Sequence, residues 1–256
     1  MIKSKLVFIT GASSGIGAAC ASYFAKSGAR LLLCARRLDT LDRLADELRK
    51  QYNTDVHTFQ LDVRDRNAVK NSIDTLPDVF SQIDILVNNA GLAAGFDVTQ
   101  EANIDDWETM IDTNVKGLLY VTRAVLPSMV AKNAGHIINI GSVAAREVYP
   151  KGNVYCATKH AVKALSASLR MDVFGTRIRV SMIDPGAVET NFSMTRFKGD
   201  EKRASAVYAG MTPLTPEDIA DVVLYCANCP PHVNISDVMI MPTDQACATM
   251  VFRQSE

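Results

Sequence analysis

The stretch from Lys5 to Gly17, read as KLVFITGASSGIG, constrains the fold of this chain more than any other part of it. The run Leu6 to Thr10 is apolar or β-branched without helical spacing, and a glycine-rich turn and a helical pattern follow it. The predicted order is therefore strand, turn and helix. A pyrophosphate needs backbone N–H groups at close range in front of a helix N-terminus, and residues without a Cβ allow that approach. We predict a dinucleotide cradle formed by Gly11, Ala12, Ser13, Ser14, Gly15, Ile16 and Gly17.

The spacing of this turn, G-x3-G-x-G, is one residue wider than the G-x-G-x-x-G of ordinary Rossmann dehydrogenases. Two other interpretations are open: a glycine turn that binds nothing, and the hydrolase nucleophile elbow G-x-S-x-G, which residues 11–15 also match. That elbow normally follows several strands, one of which supplies the oxyanion hole. Here it would follow the first strand of the chain, so its position argues against a hydrolase.

Composition favours one α/β domain over residues 1–256 that acts on a small molecule. The 256 residues are 48% hydrophobic, which is enough for a sizeable core. Lys and Arg number 27 against 28 Asp and Glu, so no net positive charge points to a nucleic-acid partner. No apolar run is long enough to span a bilayer, and the N-terminal residues enter a strand rather than a signal sequence. We expect a cytoplasmic protein with no membrane partner.

The six cysteines lie in apolar contexts, which suits reduced core thiols better than a disulfide framework. Cys226 and Cys229 form a C-x-x-C pair to which His232 could add a third zinc ligand, yet no fourth ligand lies nearby. We therefore expect packing at a helix end and no metal site. For the histidines, at positions 57, 136, 160 and 232, we expect surface or interface positions.

A second buried strand, Leu31 to Ala35, runs directly into Arg36 and Arg37. An NAD-specific fold usually places an acidic residue here to hold the ribose hydroxyls. Two guanidinium groups can instead bind a 2′-phosphate through charge-assisted hydrogen bonds. The cofactor predicted from these residues is NADP, although the same arginines could simply open the solvated helix Asp39 to Lys50.

Polar residues follow the next two predicted strands where each one ends. Val56 to Leu61 is followed by Asp62 and Val63, and Asp84 to Val87 is followed by Asn88-Asn89-Ala90-Gly91. Ligand contacts in a doubly wound sheet gather at the C-terminal ends of strands, so both clusters fit adenine and ribose contacts. From the residues alone, Asp62 could equally cap a helix over 64–73, and residues 88–91 could be an ordinary turn.

The segment from about Asn103 to Asn133 is predicted to be one long helix, interrupted in its middle by Asn114 and Gly117. An asparagine inside a helix competes for backbone hydrogen bonds, so its presence there suggests a role beyond helix formation. A fifth strand is predicted over His136 to Ile140, and Ser142 follows shortly after its end.

Tyr155 and Lys159 are four residues apart, which places them on one face of a helix. A phenol with a pKa near 10 exchanges protons poorly at neutral pH, and a neighbouring ammonium together with an oxidised nicotinamide would lower that pKa. The hydroxyl of Ser142 would hold the substrate oxygen. A tyrosine four residues before a lysine is common on exposed helices, so the pair by itself is a weak indication.

Taken together, T-G-x3-G-x-G, L-D-V, N-N-A-G and the order Asn114, Ser142, Tyr155, Lys159 resemble the short-chain dehydrogenases/reductases from Lys5 to about Met241. The resemblance implies a single-domain, Rossmann-type, doubly wound and mostly parallel seven-stranded sheet with helices on both faces. It implies that Asn114 lies at a helix kink and orders a water that relays protons. The implied cofactor contacts are the glycine cradle, Arg36, Arg37, Asp62, Val63, Asn89, Gly91, Tyr155, Lys159, and, after a sixth strand (Ile178 to Ile183), Pro185, Gly186, Val188 and Thr190.

Residues 190–213 are polar and basic, and we predict that they form a substrate lid. Arg196, Lys198 and Arg203 could place a cation over the site, and Arg146, four residues after Ser142, is another candidate to bind a substrate carboxylate. A solvated basic loop is the alternative for each of them.

Several segments narrow the resemblance to NADP-dependent 3-hydroxy acid dehydrogenases that act on serine, allo-threonine and related acids; they are residues 106–114, 124–129, 196–200, 214–218, 241–242 and 251–253. This likeness implies a homotetramer and hydride transfer between a small 3-hydroxy acid and its 3-oxo acid. The alternatives are a 3-oxoacyl thioester reductase, and a non-catalytic NADP-binding sensor that would not need the proton-transfer groups.

Overall fold

The computed structural model describes residues 2–254 and contains one sheet of seven strands in the order β3-β2-β1-β4-β5-β6-β7. The strands are β1 (Leu6–Thr10), β2 (Arg30–Ala35), β3 (Val56–Gln60), β4 (Ile85–Asn88), β5 (Gly135–Ile140), β6 (Ile178–Pro185) and β7 (Asp237–Ile240). Every pairing between neighbouring strands is parallel, so the predicted fold class is confirmed and no strand of this sheet runs against the others.

Nine helices in the described residues connect the strands or follow them. They are α1 (Gly15–Lys26), α2 (Leu38–Tyr52), α3 (Arg66–Asp74), α4 (Ile104–Ile111), α5 (Leu118–Ala131), α6 (Asn153–Asp172), α7 (Phe192–Arg196), α8 (Glu201–Ala206) and α9 (Pro216–Asn228). None of the helices that the structure describes is both long and apolar enough to cross a membrane.

Alternate residues of the central strands supply two separate cores, because successive side chains of a strand point to opposite faces. Val7 and Ile9 of β1 pack into the core shared with α1, α2 and α9. Leu6 and Phe8 pack into the opposite core, shared with α3 and α5. Strands buried on both faces have no polar side, which explains the uninterrupted apolar runs in their sequence.

Strands β1 to β3 follow one another toward one edge of the sheet, and β4 to β7 follow one another toward the other edge. Strands β1 and β4 are therefore neighbours, although two strands separate them in sequence. Connections from these two strands leave in opposite directions and open a crevice at the C-terminal edge of the sheet. The glycine turn after β1 and residues 89–91 after β4 border that crevice.

The predicted long helix over 103–133 is wrong in its middle. Residues Asp112–Gly117 form a π-helical turn between α4 and α5. A π turn contains an extra residue that displaces the helix and often occurs at functional sites. The interruption at Asn114 and Gly117 was therefore a break in the α-helical pattern and not a defect within a continuous helix.

The alternative in which Asp62 caps α3 is excluded, since the side chain of Asp65 accepts hydrogen bonds from the first turn of that helix. One further expectation is corrected. His136 is not at the surface: it is buried in β5, and its Nε2 lies 2.8 Å from the Ser181 hydroxyl. Burial lowers the pKa of His136 to about 3, so the ring is neutral in the core.

Candidate active site

A cleft of about 630 Å³ opens at the C-terminal edge of the sheet. The residues predicted to contact a cofactor converge on it from six separate places in the sequence. Those that line it are Gly11, Ser13, Ser14, Gly15, Ile16, Arg36, Arg37, Asp62, Val63, Asn89, Gly91, Tyr155, Lys159, Pro185, Gly186, Val188 and Thr190. Ala12 and Gly17, also predicted, are buried and do not line the cleft.

The glycine turn has the close packing that a phosphate-binding loop requires. Gly11 and Gly15 have φ angles of +64° and +55°, a left-handed conformation that side chains disfavour. A Cβ on Gly17 would lie 2.5 Å from both the Gly11 carbonyl oxygen and the Asn89 amide nitrogen. Asn89 in turn donates hydrogen bonds to the carbonyls of Thr10 and Gly11 at 2.9 and 3.2 Å. Asn89 therefore holds the glycine turn in place at the N-terminus of α1. That geometry suits the binding of an anion.

The two arginines after β2 lie on different sides of the same end of the cleft. Arg37 donates hydrogen bonds to the hydroxyls of Ser14 and Ser13, at 3.2 and 3.4 Å. Arg36 is close enough to Asp62 to help lower the pKa of that carboxyl, although the main cause is the hydrogen bond from Arg64. The guanidinium groups thus border the glycine turn and the predicted adenine side, an arrangement that fits a 2′-phosphate between them.

Tyr155 and Lys159 project from the first half of α6 into the cleft, as their spacing predicts. The Lys159 ammonium donates a hydrogen bond of 3.0 Å to the carbonyl of Ile140 and lies 5.9 Å from the centroid of the Tyr155 ring. Ser142 lies on the same cleft directly after β5, where it caps a short turn. Three of the four predicted catalytic residues therefore line one cavity.

Asn114 is buried behind the cleft and does not line it. Its amide group donates to the Leu92 carbonyl at 2.8 Å and to the Thr158 hydroxyl at 3.1 Å, and its oxygen accepts from the Leu92 backbone at 2.9 Å. The π turn is what directs this side chain toward residue 92, beside the N-N-A-G segment. Asn114 therefore connects α6, between Tyr155 and Lys159, to the loop after β4.

Burial is the main cause of the pKa changes of Lys159 and Tyr155 in the protein itself. It lowers the pKa of Lys159 to about 8, and the negative charge of Asp184 opposes that change. Burial raises the pKa of Tyr155 above its ordinary value, against the hydrogen bond with Ser142 and the charge of Arg196. The expected lowering of the phenol pKa is thus absent from the protein by itself, because desolvation of the phenolate outweighs the charge of Arg196 and the hydrogen bond with Ser142.

Arg196, at the end of α7 in the predicted lid, is the basic residue of that segment that reaches the ring of Tyr155. Its guanidinium carbon lies 4.7 Å from the Phe96 ring centroid and 5.5 Å from the ring centroids of Tyr149 and Tyr155. It donates a 3.0 Å hydrogen bond to the Tyr149 hydroxyl, while its Nε is buried without a partner among the described residues. Arg196 does not line the 630 Å³ cleft but shares a small neighbouring cavity with Tyr155, so it is a candidate to bind an anion that reaches that ring.

The other basic residues considered as ligands for a substrate carboxylate make contacts of their own. Lys198 forms an ion pair of 2.9 Å with Asp106, and Arg203 packs over the Phe197 ring at 4.5 Å. The interpretation of Arg146 as a carboxylate ligand is not supported, because its guanidinium is already paired with Asp184 at 2.7 Å and with Asp237 at 3.3 Å.

Sequence reasoning missed the residues that support the site from a distance. Phe96 and Tyr149 enclose Arg196 but belong to no recognisable motif. Gln245 accepts a hydrogen bond of 2.8 Å from the Ala187 backbone, and this bond fixes the loop after β6. A glutamine near the end of a chain carries no pattern that would indicate such a contact.

Comparison with known proteins gives a consistent result over the full length. The sequence model of the family described as short chain dehydrogenase matches residues 5–201. A protein of Schizosaccharomyces pombe named NADP-dependent 3-hydroxy acid dehydrogenase is 46% identical over 99% of this chain and 98% of its own. A protein of Chromohalobacter salexigens named sulfoacetaldehyde reductase 2 is also 46% identical, over 95% of this chain and 96% of its own. The structure of a serine dehydrogenase in a closed form complexed with NADP+ superposes with a TM-score of 0.92 at 45% identity, covering 98% of this chain and 100% of that one.

Proposed function

The chain belongs to the short-chain dehydrogenase family, and on that premise we propose that it is an NADP-dependent oxidoreductase that interconverts a small 3-hydroxy acid, such as serine or allo-threonine, and its 3-oxo acid. The observation that carries the substrate class is the guanidinium of Arg196 beside the Tyr155 ring. In a 3-hydroxy acid the carboxylate is two bonds from the carbon that reacts. A cation next to the proton-transfer group is therefore placed for this substrate class and not for a neutral alcohol.

The cleft residues fit a bound NADP. Backbone N–H groups of the turn 11–17 would hold the pyrophosphate, and Arg37 and Arg36 would hold the 2′-phosphate. Asp62 and Val63 would contact the adenine, and Pro185, Gly186, Val188 and Thr190 would enclose the nicotinamide. When bound, the cofactor supplies or accepts the hydride at C4 of its nicotinamide ring.

The protein's own part in the reaction is to position the substrate and move one proton. Ser142 orients the substrate oxygen, and Tyr155 accepts the proton of the hydroxyl during oxidation or returns it during reduction. The Lys159 ammonium stabilises the phenolate, because a positive charge in a buried site lowers the energy of a nearby anion. Asn114 sustains the proton relay behind α6.

Arg196 would bind the substrate carboxylate from the lid, residues 190–213, which contains α7 and α8. The carbonyl of Arg196 accepts a 3.0 Å hydrogen bond from Gly95, and Lys198 pairs with Asp106. These contacts join the lid to the loop after β4 and to α4. They support a lid that excludes water from the reacting carbon while the acid is bound.

A cytoplasmic homotetramer is part of the same proposal. The six cysteines are free thiols, in keeping with a reducing compartment. Phe174 and Met171, near the end of α6, are 91% and 76% exposed. Large apolar side chains this exposed favour contact with another copy of the chain.

The test is a substrate panel assayed with NADPH and NADH, following the absorbance of the reduced cofactor. It contains 3-oxo acids, acetoacetyl thioesters and a sulfoaldehyde, with 3-hydroxy acids assayed in the reverse direction. We expect turnover of the small acids with NADPH. Preference for the thioesters would indicate a 3-oxoacyl thioester reductase, which needs an open groove for a carrier arm, and failure to consume cofactor with any compound would indicate a sensor.

A further inference from the structure

Asp184 is a fully buried acid that touches the backbone of the catalytic loop and has no role in the reaction outlined above. It lies near the end of β6, immediately before the Pro185-Gly186 turn, and its side chain has 0% exposure. One carboxylate oxygen accepts a 3.2 Å hydrogen bond from the backbone N–H of Ser142. The other accepts a 2.7 Å hydrogen bond from Nε of Arg146.

The local structure makes room for this carboxylate. A Cβ on Gly141 would lie 2.0 Å from Oδ1 of Asp184, so only glycine before Ser142 permits the contact. Arg146 comes from the turn that follows Ser142, and its second nitrogen reaches Asp237 at the start of β7. The acid is thus bound to the serine loop at Ser142 itself and four residues after it.

We propose that Asp184 and Arg146 form a positioning pair that sets the orientation of Ser142 relative to the cofactor loop. This inference rests on the proposed function, because it assigns Ser142 and Lys159 the roles given there. The pair joins the loop after β5 to the end of β6, from which the predicted cofactor loop starts, through one ionic contact. A charged hydrogen bond in a buried site holds geometry more tightly than packing alone, and small displacements of an orienting group reduce turnover strongly.

The charge of Asp184 also acts on Lys159. The Lys159 ammonium lies beside the Tyr155 ring on its own helix and donates a hydrogen bond to the Ile140 carbonyl of β5. Asp184 of β6, which is paired with Arg146 and through it with Asp237, acts on Lys159 through its charge and not through a hydrogen bond. Asp184 raises the pKa of Lys159 against the effect of burial. Loss of that negative charge would lower the pKa of Lys159 further. Its ammonium would then lose its proton at a lower pH.

The experiment compares Asp184→Asn with Asp237→Asn in the full-length protein. Asparagine at 184 keeps the shape and an acceptor for the Ser142 N–H but removes the charge. Asp237→Asn is the matched control, since it removes a negative charge paired with the same Arg146 without affecting the contact to Ser142. We expect Asp184→Asn to lower kcat by about tenfold or more, with KM and the Kd for NADPH within about twofold of the parent. Its alkaline limit of activity should move to lower pH, while Asp237→Asn keeps the parent values.

A folded Asp184→Asn enzyme with parental kcat and pH profile would overturn the proposal, as would an equal loss in Asp237→Asn. If Asp184→Asn does not fold, the doubly neutral variant Asp184→Asn/Arg146→Gln leaves no unpaired buried charge and is judged by the same two readouts. The parent is assayed in parallel, so that an inactive parent counts against the proposed function, and an active parent with unaffected variants counts against the positioning pair alone.

Discussion

The guanidinium carbon of Arg196 lies 5.5 Å from the ring centroid of Tyr155, although the two residues belong to different helices and are far apart in sequence. The segment predicted to be a lid thereby brings a fixed positive charge to the group proposed to transfer the proton. Phe96 and Tyr149 complete the enclosure and limit the access of water to that charge. Because a low-dielectric surrounding strengthens the attraction for an anion, this arrangement favours acids over neutral alcohols.

Arg196→Met is expected to lower kcat/KM for a 3-hydroxy acid about 10- to 100-fold, because a charged hydrogen bond contributes roughly 1.5–3 kcal/mol. The loss should be small for the methyl ester of the same acid, which has no carboxylate to pair. Arg203→Met, on the neighbouring helix, is the control and should retain parental kinetics. Steady-state kinetics with the acid and its ester measures the effect; an equal loss for both compounds would contradict a carboxylate-binding role.

Arg37→Asp is expected to reduce the preference for NADP over NAD by about 10- to 100-fold, because it replaces a phosphate ligand with a repelling charge. Arg36→Asp should also reduce the preference for NADP over NAD. Arg43→Asp, on the exposed side of the same helix α2, controls for the change in net charge. The measurement is the ratio of kcat/KM for the two cofactors. An unchanged ratio in both cleft variants would contradict the assignment of the 2′-phosphate site.

Tyr155→Phe removes the hydroxyl while it keeps the ring that packs against Phe192. We expect kcat to fall by about 10²- to 10⁴-fold, the usual contribution of a positioned acid or base. NADPH binding, followed by fluorescence titration, should be retained because the ring still fills its place. Near-normal turnover in a variant that binds NADPH would exclude this tyrosine as the proton-transfer group.

The buried His136 makes the fold sensitive to acid. Its pKa is about 3 in the folded protein, whereas the ordinary value is 6.5, so between these values the unfolded chain binds a proton that the folded chain does not. The contribution of the neutral ring to stability is therefore complete above about pH 6.5 and is lost as pH falls toward 3. The free energy of unfolding should decrease by about 1.4 kcal/mol per pH unit in this window from this residue.

Urea denaturation at pH 7 and pH 5 tests this sensitivity. Between these two pH values the parent should lose about 2 kcal/mol more than His136→Gln, which cannot gain the proton. His232→Gln, at an exposed histidine, should behave like the parent. Equal losses in the parent and in His136→Gln would show that the ring titrates normally.

The agreement between sequence and structure is greatest where local chemistry alone dictates conformation. The apolar run of β1 and the glycines after it predicted strand, turn and helix, because a left-handed φ at Gly11 and the contacts around Gly17 admit no side chain. The spacing of Tyr155 and Lys159 likewise predicted a shared helical face from local geometry alone. The capping box formed by Thr215 and Asp218 is likewise a local feature, and α9 begins directly after Thr215.

The sequence by itself determined the strand, glycine turn and helix that begin at Leu6 and the shared helical face of Tyr155 and Lys159, since each depends on neighbours within one or two turns of the chain. The parallel sheet followed only from the resemblance of the combined motifs to a family. Only the tertiary structure decided that Asn114 lies on a π turn, that His136 is buried, and that Arg196 and not Arg146 faces Tyr155. Basic residues look alike in sequence. Which of them is neutralised by a buried acid such as Asp184 depends on strands that meet only when the sheet assembles.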